Sequence, residues 1–408
     1  MGILIGGPTR RNSAPSIYLF CVVASASGRN AYFVMAAWIA TDVSHSASAL
    51  AILLALGSAA ELLTSNLGGA LVDRFDRQFV CVGCDLIRLA LMLLTGFGFL
   101  FGDALTILYV SWTIFAIIDR THSTALQAII PSFVRPENLG SFNSVSYVGM
   151  QTGNLLAALV TGFTLTATGT YLTPLLPGAF FILSLLALLA ILSRQQLSSA
   201  QCCSVNRSIR RLDLMPTTFT LQSLKAISTM YALIYAMGML ISVLGSAYVI
   251  HELEGSALQF GYLEAGWALG SIAGCATFLV GSALSRRQSV LFHLTLAGII
   301  LTVFLVLQSF LLALIQMTIL GFSYNIARVL IDVRVQSTVP VGMLGRARSQ
   351  IHTICVGIGL LAYGAICVMG DAILPSEIFG LFGALMIAVA LFCYVGMDRG
   401  GPPEGRLV

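Results

Sequence analysis

The sequence has few charged residues and almost no lysine. Only 9% of its 408 residues are Asp, Glu, Lys or Arg, whereas soluble domains carry about 25%. Hydrophobic residues make up 57% of the chain, and the mean hydropathy is +0.92. Polar groups could not cover so much apolar surface in water, which excludes an ordinary soluble enzyme, a nucleic-acid-binding protein and a disordered scaffold. The composition therefore predicts an all-α polytopic membrane protein with the lipid bilayer as its solvent.

The sequence also lacks the motifs of catalysis and of cofactor or metal binding. It contains no phosphate-binding P-loop, no HExxH motif and no GxSxG turn around a nucleophile. Cys81 and Cys84 form a CxxC pair in an apolar segment, without a second pair or a nearby histidine. We therefore predict neither enzymatic activity, nor a cofactor, nor a metal.

Twelve apolar segments reach the length of about 20 residues that a helix needs to cross a bilayer. They predict two six-helix bundles, formed by residues 1–193 and 226–408, with a cytoplasmic linker at 194–225. Ser48-Ala49-Leu50 recurs 208 residues later as Ser256-Ala257-Leu258, which favours an internal duplication. The predicted spans are Pro15–Ala40, Ala47–Val72, Phe79–Phe101, Ala104–Ile130, Ser141–Ala167, Leu172–Ser193, Ala226–Ile250, Ala257–Leu284, Ser289–Ser309, Phe310–Val333, Ser349–Met369 and Pro375–Met397.

The basic residues predict the orientation of these spans. The termini, the linker and the loops on one side contain arginines and Lys225, whereas the opposite loops contain no Lys or Arg. Those opposite loops carry Asp42, Asp103, Glu252, Glu254, Asp371 and Glu377. Because Lys and Arg concentrate in cytoplasmic loops, both termini are predicted to be cytoplasmic. The expected location is the inner membrane of a bacterium.

The loop between spans two and three carries the strongest motif. It reads Gly69-Ala-Leu-Val-Asp73-Arg74-Phe-Asp76-Arg77-Gln78 and resembles the G-x-L-a-D-R-x-x-R-[KR] signature of the major facilitator superfamily. Segments 85–88, 130–139 and 336–346 are similar to the drug:proton antiporter-3 branch, which contains macrolide efflux pumps and the enterobactin exporter. The resemblance implies the major facilitator fold and alternating access. It also implies a gating role at the cytoplasmic mouth for Asp73, Arg74, Arg77 and Arg346.

Four ionisable residues lie deep inside predicted spans of the first half. They are Arg29, which adjoins Asn30, together with Glu61, Asp119 and Arg120. Charge at this depth is costly, so such a group faces a partner or an aqueous cavity. Arg29 with Asp119, or Glu61 with Arg120, would make a neutral pair. Such a pair either holds the helices together permanently or lines a cavity in which the arginine binds an anion and the carboxylate binds a proton.

Further polar residues complete the candidate substrate-binding and coupling set. Gln151 and Asn154 share one face of span five, whereas Tyr324 and Asn325 point in different directions. Arg328 lies four residues before Asp332, and this spacing favours a local salt bridge. Glu264 is the acidic residue of span eight.

The predicted function is export of a small polar or anionic metabolite, such as a siderophore, by a monomer that exchanges it for protons. The alternatives are efflux of hydrophobic drugs, uptake of a siderophore or other metabolite, and a receptor that no longer transports. Proton antiporters of the superfamily often carry a Gly-Pro-rich run in span five. Here that span has Gly149 and Gly153 but no proline.

Overall fold

A computed structural model describes residues 14–130, 134, 139–168, 172–196, 225–280, 289–306, 309–338, 344–369 and 372–398. Within these ranges the chain forms twelve α-helices and one short π-helix, and no β-strand. Residues 197–224, which make up most of the predicted linker, lie outside the described residues.

The helices follow the predicted segments closely. The first six are α1 (Ala14–Ser44), α2 (Ala47–Arg74), α3 (Arg77–Gly98), α4 (Ala104–Ile129), α5 (Leu139–Thr168) and α6 (Leu175–Gln196). The next six are α7 (Lys225–Ala247, extended by the π-helix Tyr248–Glu252), α8 (Ala257–Val280), α9 (Val290–Val303), α10 (Phe310–Thr338), α11 (Leu344–Met369) and α12 (Pro375–Asp398).

Nine of the described helices are long and apolar enough to cross a membrane. Two shorter apolar helical stretches also lie within the described residues, Val290–Val303 of α9 and Thr353–Met369 of α11. Helix α9 has only 14 residues, because turns over Phe304–Val306 end it before the predicted limit at Ser309.

Short polar side chains fix where several helices begin. Ser46 and Asp76 accept hydrogen bonds from the backbone N–H groups of Ser48 and Gln78, at the starts of α2 and α3. Asp103 accepts two bonds of 2.8 Å from the backbone N–H and the hydroxyl of Thr106. These bonds hold the pKa of Asp103 below its usual range. Each of these side chains accepts a hydrogen bond from a backbone N–H group that has no partner within the first turn of its helix.

The turns before α2 and α8 share an unusual backbone conformation. His45 has φ 50° and Glu254 has φ 48°. This is the left-handed conformation, which is unfavourable for residues other than glycine. The two residues lie 209 positions apart, within one residue of the 208-residue spacing of the repeated Ser-Ala-Leu motif. The shared conformation supports the predicted internal duplication.

Each set of six helices packs mainly within itself. In the first set, α1 packs against α5 and α6, and α4 packs against α2 and α3. In the second set, α8 packs against α10, and α9 against α12. The two sets meet where α5 packs against α8 and where α2 packs against α11.

Several contacts between the sets lie toward the membrane side whose loops lack basic residues. Near the end of α1, the Thr41 hydroxyl lies 2.7 Å from that of Ser246 at the end of α7. One turn earlier on α1, Trp38 stacks on Phe260 of α8, with ring centroids 6.1 Å apart. Ser48, in the first turn of α2, donates to the carbonyl of Ile366 in α11, 3.4 Å away. These contacts join the two sets of helices at this side.

Helices α5 and α8 meet with almost no side chain between them. A Cβ atom added to Gly261 would lie 2.6 Å from the carbonyl oxygen of Ala158 and 3.0 Å from the Cα of Gly162. Both neighbours are backbone atoms, which cannot rotate away. Small residues allow this close approach of helices in a membrane.

We predict that Gly261→Ala lowers the stability of the chain by about 1–3 kcal/mol, because the added methyl group overpacks the contact between α5 and α8. The measurement is the thermal unfolding midpoint of the purified protein in detergent. Gly357→Ala on α11 is the matched control, since its Cβ would meet nothing within 4 Å. An equal loss in both variants would contradict the prediction.

Candidate functional site

Arg88 of α3 is fully buried and has two carboxylate partners. Its Nη2 lies 3.0 Å from Oδ1 of Asp85, and its Nη1 lies 3.2 Å from Oδ1 of Asp119 on α4. Nη1 also donates to the hydroxyl of Ser25 on α1. The guanidinium lies over the ring of Phe181 on α6, 4.8 Å from its centroid. Because a buried charge is tolerated only with close counter-ions, this cluster ties four helices together.

Asp85 extends the cluster behind Arg88. Its Oδ2 accepts a hydrogen bond of 2.7 Å from the hydroxyl of Ser184 on α6. Its Oδ1 lies 3.4 Å from Nε2 of His122 on α4. Asp85, Arg88 and His122 are all almost completely buried.

Asp119 divides its carboxylate between two arginines. One oxygen faces Arg88, and the other lies 3.5 Å from Nη1 of Arg29 on α1. This is one of the two neutral pairs that the sequence analysis considered. The Arg29 side chain is 36% exposed, whereas that of Arg88 is fully buried. Arg88 therefore holds Asp119 in place, while Arg29 remains accessible.

A cavity of about 440 Å³ opens beside this pair. Helices α1, α4 and α5 form its walls, and the lining residues include Arg29, Asp119, His122, Asn143 and Tyr147. Val22, Leu126 and Met150 add apolar surface. An apolar cavity with a few convergent polar groups is the usual form of a small-molecule site.

Tyr147 links the cavity wall to the second set of helices. Its hydroxyl donates a short hydrogen bond to Oδ1 of Asn325 on α10. It also accepts one of 3.2 Å from Nη1 of Arg328. The Arg328 guanidinium lies 5.5 Å from the centroid of the Tyr147 ring, within cation–π distance. Tyr147 therefore makes a polar contact between α5 and α10.

A chain of amides continues from Tyr147 to α1. Gln151 donates to the Tyr147 hydroxyl, and Asn154 donates to Oε1 of Gln151 at 3.1 Å. Asn30 in turn donates to the backbone carbonyl of Asn154 at 2.9 Å. The predicted shared face of Gln151 and Asn154 is present.

Glu61 and Arg120, the alternative neutral pair, do not form an ion pair. No hydrogen bond or ion pair of either side chain occurs in the described part of the chain. Glu61 nevertheless lies close enough to Asp119, Arg120 and Arg29 for their charges to interact. It also lies near Tyr235 and Tyr363 of the second set.

Glu264 and Tyr324 lie in the second set of helices. Glu264 is half-buried and makes no hydrogen bond or ion pair with any residue that the structure describes. Tyr324 is half-buried and packs on Trp267, with ring centroids 5.2 Å apart. Its neighbour Asn325 is buried on Tyr147, so the two side chains have different surroundings, as predicted.

The predicted gating residues are described in part. Arg77 is exposed at the start of α3, and its Nη1 donates to the carbonyl of Ala128 at the end of α4, 2.7 Å away. Arg74 is exposed beside Phe75. The side chains of Asp73 and Arg346 lie outside the described residues.

Sequence reasoning missed Asp85, Arg88, His122 and Tyr147 as site residues. Asp85 and Arg88 belong to segment 85–88, which contributes to the family resemblance. Their spacing of three residues inside an apolar span also indicates a buried ion pair. Tyr147 gave no such signal, because its partners lie 178 and 181 residues away in sequence.

Comparison with known proteins identifies the family. A sequence model of the Major Facilitator Superfamily matches residues 18–364. The chain belongs to the major facilitator superfamily. No curated protein matches the sequence.

Solved structures share this major facilitator fold at low identity. A peptide transporter POT in complex with sulfate aligns with a TM-score of 0.74 and 15% identity, covering 97% of this chain and 96% of that one. A bacterial homologue of the human lysosomal transporter Spinster, solved in an inward-facing and unoccupied conformation, aligns with a TM-score of 0.59 and 15% identity, covering 98% and 100%. These likenesses support the fold. The antiporter branch expected from the motifs remains a prediction.

We predict that Arg88→Met destabilises this major facilitator protein by about 3–5 kcal/mol, because Asp85 and Asp119 lose their shared buried counter-ion. Adding Asp85→Asn should recover part of the loss by removing one uncompensated charge. Arg74→Met, at an exposed arginine, is the control and should change stability by less than about 0.5 kcal/mol. Thermal unfolding in detergent measures all three. An Arg88→Met variant as stable as the wild type would show that the buried cluster does not support the fold.

Proposed function

We propose that this chain is a secondary active transporter that binds a small polar or anionic solute at Arg29. The observation that supports this most directly is an accessible guanidinium on the cavity wall. Its carboxylate partner, Asp119, is already held by the buried Arg88. An entering anion can therefore bind Arg29 without leaving Asp119 unpaired.

The proposed cycle is alternating access, in which all twelve helices cross the bilayer and the two six-helix halves rock around the cavity. The halves touch at the side whose loops lack basic residues. The cavity reaches Ile130 and Asn143, near the end of α4 and the start of α5. These ends adjoin the arginine-bearing loops, so the described conformation would admit solute from the cytoplasm. The charges at Asp73, Arg74, Arg77 and Arg346 would close that side.

The substrate, the direction and the coupling ion come from the sequence resemblance. We propose a siderophore with catecholate or carboxylate groups as the substrate, export across a bacterial inner membrane as the direction, and protons as the coupling ion. Asp119 is the carboxylate beside Arg29 on the cavity wall, and Glu61 lies close enough to both for their charges to interact. Gln151, Asn154, Asn30, Arg120, Glu264, Tyr324, Asn325 and Arg328 are proposed to line or support the path.

We predict that Arg29→Ala lowers transport of a tris-catecholate siderophore at least about tenfold below saturation. This is the loss expected when one charge-assisted hydrogen bond, of about 1.5 kcal/mol or more, disappears. Arg29→Lys keeps the charge and should retain part of the rate. Ser123→Ala, which changes a neutral residue of the same cavity, should transport normally.

The measurement uses inverted and right-side-out vesicles of cells that express the chain. Accumulation in inverted vesicles alone would support export, and accumulation in right-side-out vesicles alone would overturn it. Equal transport by wild type and Arg29→Ala would exclude Arg29 as the anion-binding residue.

A further inference from the structure

His122 lies between the cavity and the buried ionic cluster, and no step above uses it. It follows Asp119 by three residues on α4 and lines the same cavity as Arg29. Its side chain is nevertheless almost completely buried. On the buried side, its Nε2 faces Oδ1 of Asp85 at 3.4 Å. The imidazole therefore connects a solvent-accessible space to a carboxylate that solvent does not reach.

The charges of the cluster balance when His122 is neutral. Arg29 and Arg88 contribute two positive charges, and Asp85 and Asp119 contribute two negative charges. An anion bound at Arg29 would leave one net negative charge inside the membrane, where an uncompensated charge is costly. A proton taken up by the cluster would restore neutrality.

Among the members of the cluster, His122 can accept that proton without weakening an ion pair to an arginine. Protonation of either aspartate would weaken an ion pair with an arginine. A proton on His122 would instead place a new positive charge beside Asp85, which already faces its Nε2. Histidine also has an ordinary pKa near neutrality, so a modest change in its surroundings alters its charge.

Five helices place other titratable or charged groups around this pair. In the described part of the chain they are Tyr18, Cys21 and Arg29 of α1, Glu61 of α2, Cys81, Cys84 and Arg88 of α3, Asp119 and Arg120 of α4, and Tyr147 of α5; α6 adds the neutral Ser184. The thiols and phenols ordinarily titrate on the alkaline side. Glu61 is the other carboxylate near the cavity, and it is not in direct contact with the cluster.

We infer that His122, backed by Asp85, is a proton-binding site that fills when the positive charge of Arg29 is neutralised. That a bound anion neutralises Arg29 rests on the proposed function. In the described conformation, the proton and the anion would therefore occupy the protein together. This charge-compensating proton is separate from the coupling proton that the proposed cycle exchanges for the solute.

The first test needs no substrate, because Arg29→Gln removes the same positive charge that a bound anion would neutralise. The chain, labelled with ¹³C at Cε1 of its five histidines, is studied by NMR in lipid nanodiscs at pH 6.5. His122→Gln and His293→Gln assign the signals of these two histidines, which are the buried ones among the described residues. In Arg29→Gln, the ratio of protonated to neutral His122 should rise about tenfold, the effect of losing one nearby positive charge. In Asp119→Asn it should fall.

His293 of α9 is the internal control, because it is equally buried and neither ring nitrogen has a hydrogen-bond partner in the described structure. Its signal should not change in either variant. An unchanged His122 signal in Arg29→Gln would overturn the inference, as would equal changes at both histidines.

The second test measures binding of 2,3-dihydroxybenzoate by calorimetry in two buffers of different ionisation enthalpy. Wild type and His293→Gln should take up about one proton per bound anion, and His122→Gln should bind the anion with almost no proton uptake. Full proton uptake by His122→Gln would overturn the inference. Failure of the wild type to bind this probe would count against the proposed anion site, while the NMR comparison would still decide whether His122 binds a proton.

Discussion

A cation buried among apolar helices must keep its counter-ions close, and this requirement organises the first half of the molecule. Arg88 cannot reach water, so Asp85 and Asp119 must reach it from α3 and α4. Ser25 and Phe181 complete its surroundings from α1 and α6. The position of α4 relative to α3 therefore depends on charge as well as on packing. Any movement of the cavity wall has to preserve this pairing.

The cluster separates a fixed part from an accessible part. Asp119 belongs to both, since one oxygen faces the buried Arg88 and the other faces the accessible Arg29. Because Arg88 holds one oxygen of Asp119, the other oxygen can keep its position at the cavity while Arg29 changes partners. On the other side of the cavity, Tyr147 connects α5 to Arg328 and Asn325 of α10. Events at the cavity can thus act on the cluster and on the contact between the halves.

Much of the fold could be predicted from the sequence, because apolar segments of sufficient length have few alternatives in a bilayer. The Arg29–Asp119 pair could also be proposed, since charges in spans need partners. The sequence could not choose between this pair and Glu61 with Arg120, because that choice depends on how α1, α2 and α4 pack. The role of Tyr147 could not be found either, since it requires the relative placement of α5 and α10. The early end of α9 depends on local turns that its uniformly apolar sequence does not mark.

The contact between Gly162 and Gly261 has a consequence for the speed of the conformational change. At this point the two helices touch through backbone atoms, with no side chain between them. At the glycines themselves, separating the helices requires no side chain to change its rotamer. The barrier to opening this side of the molecule would then arise mainly from the polar and aromatic contacts around the glycines.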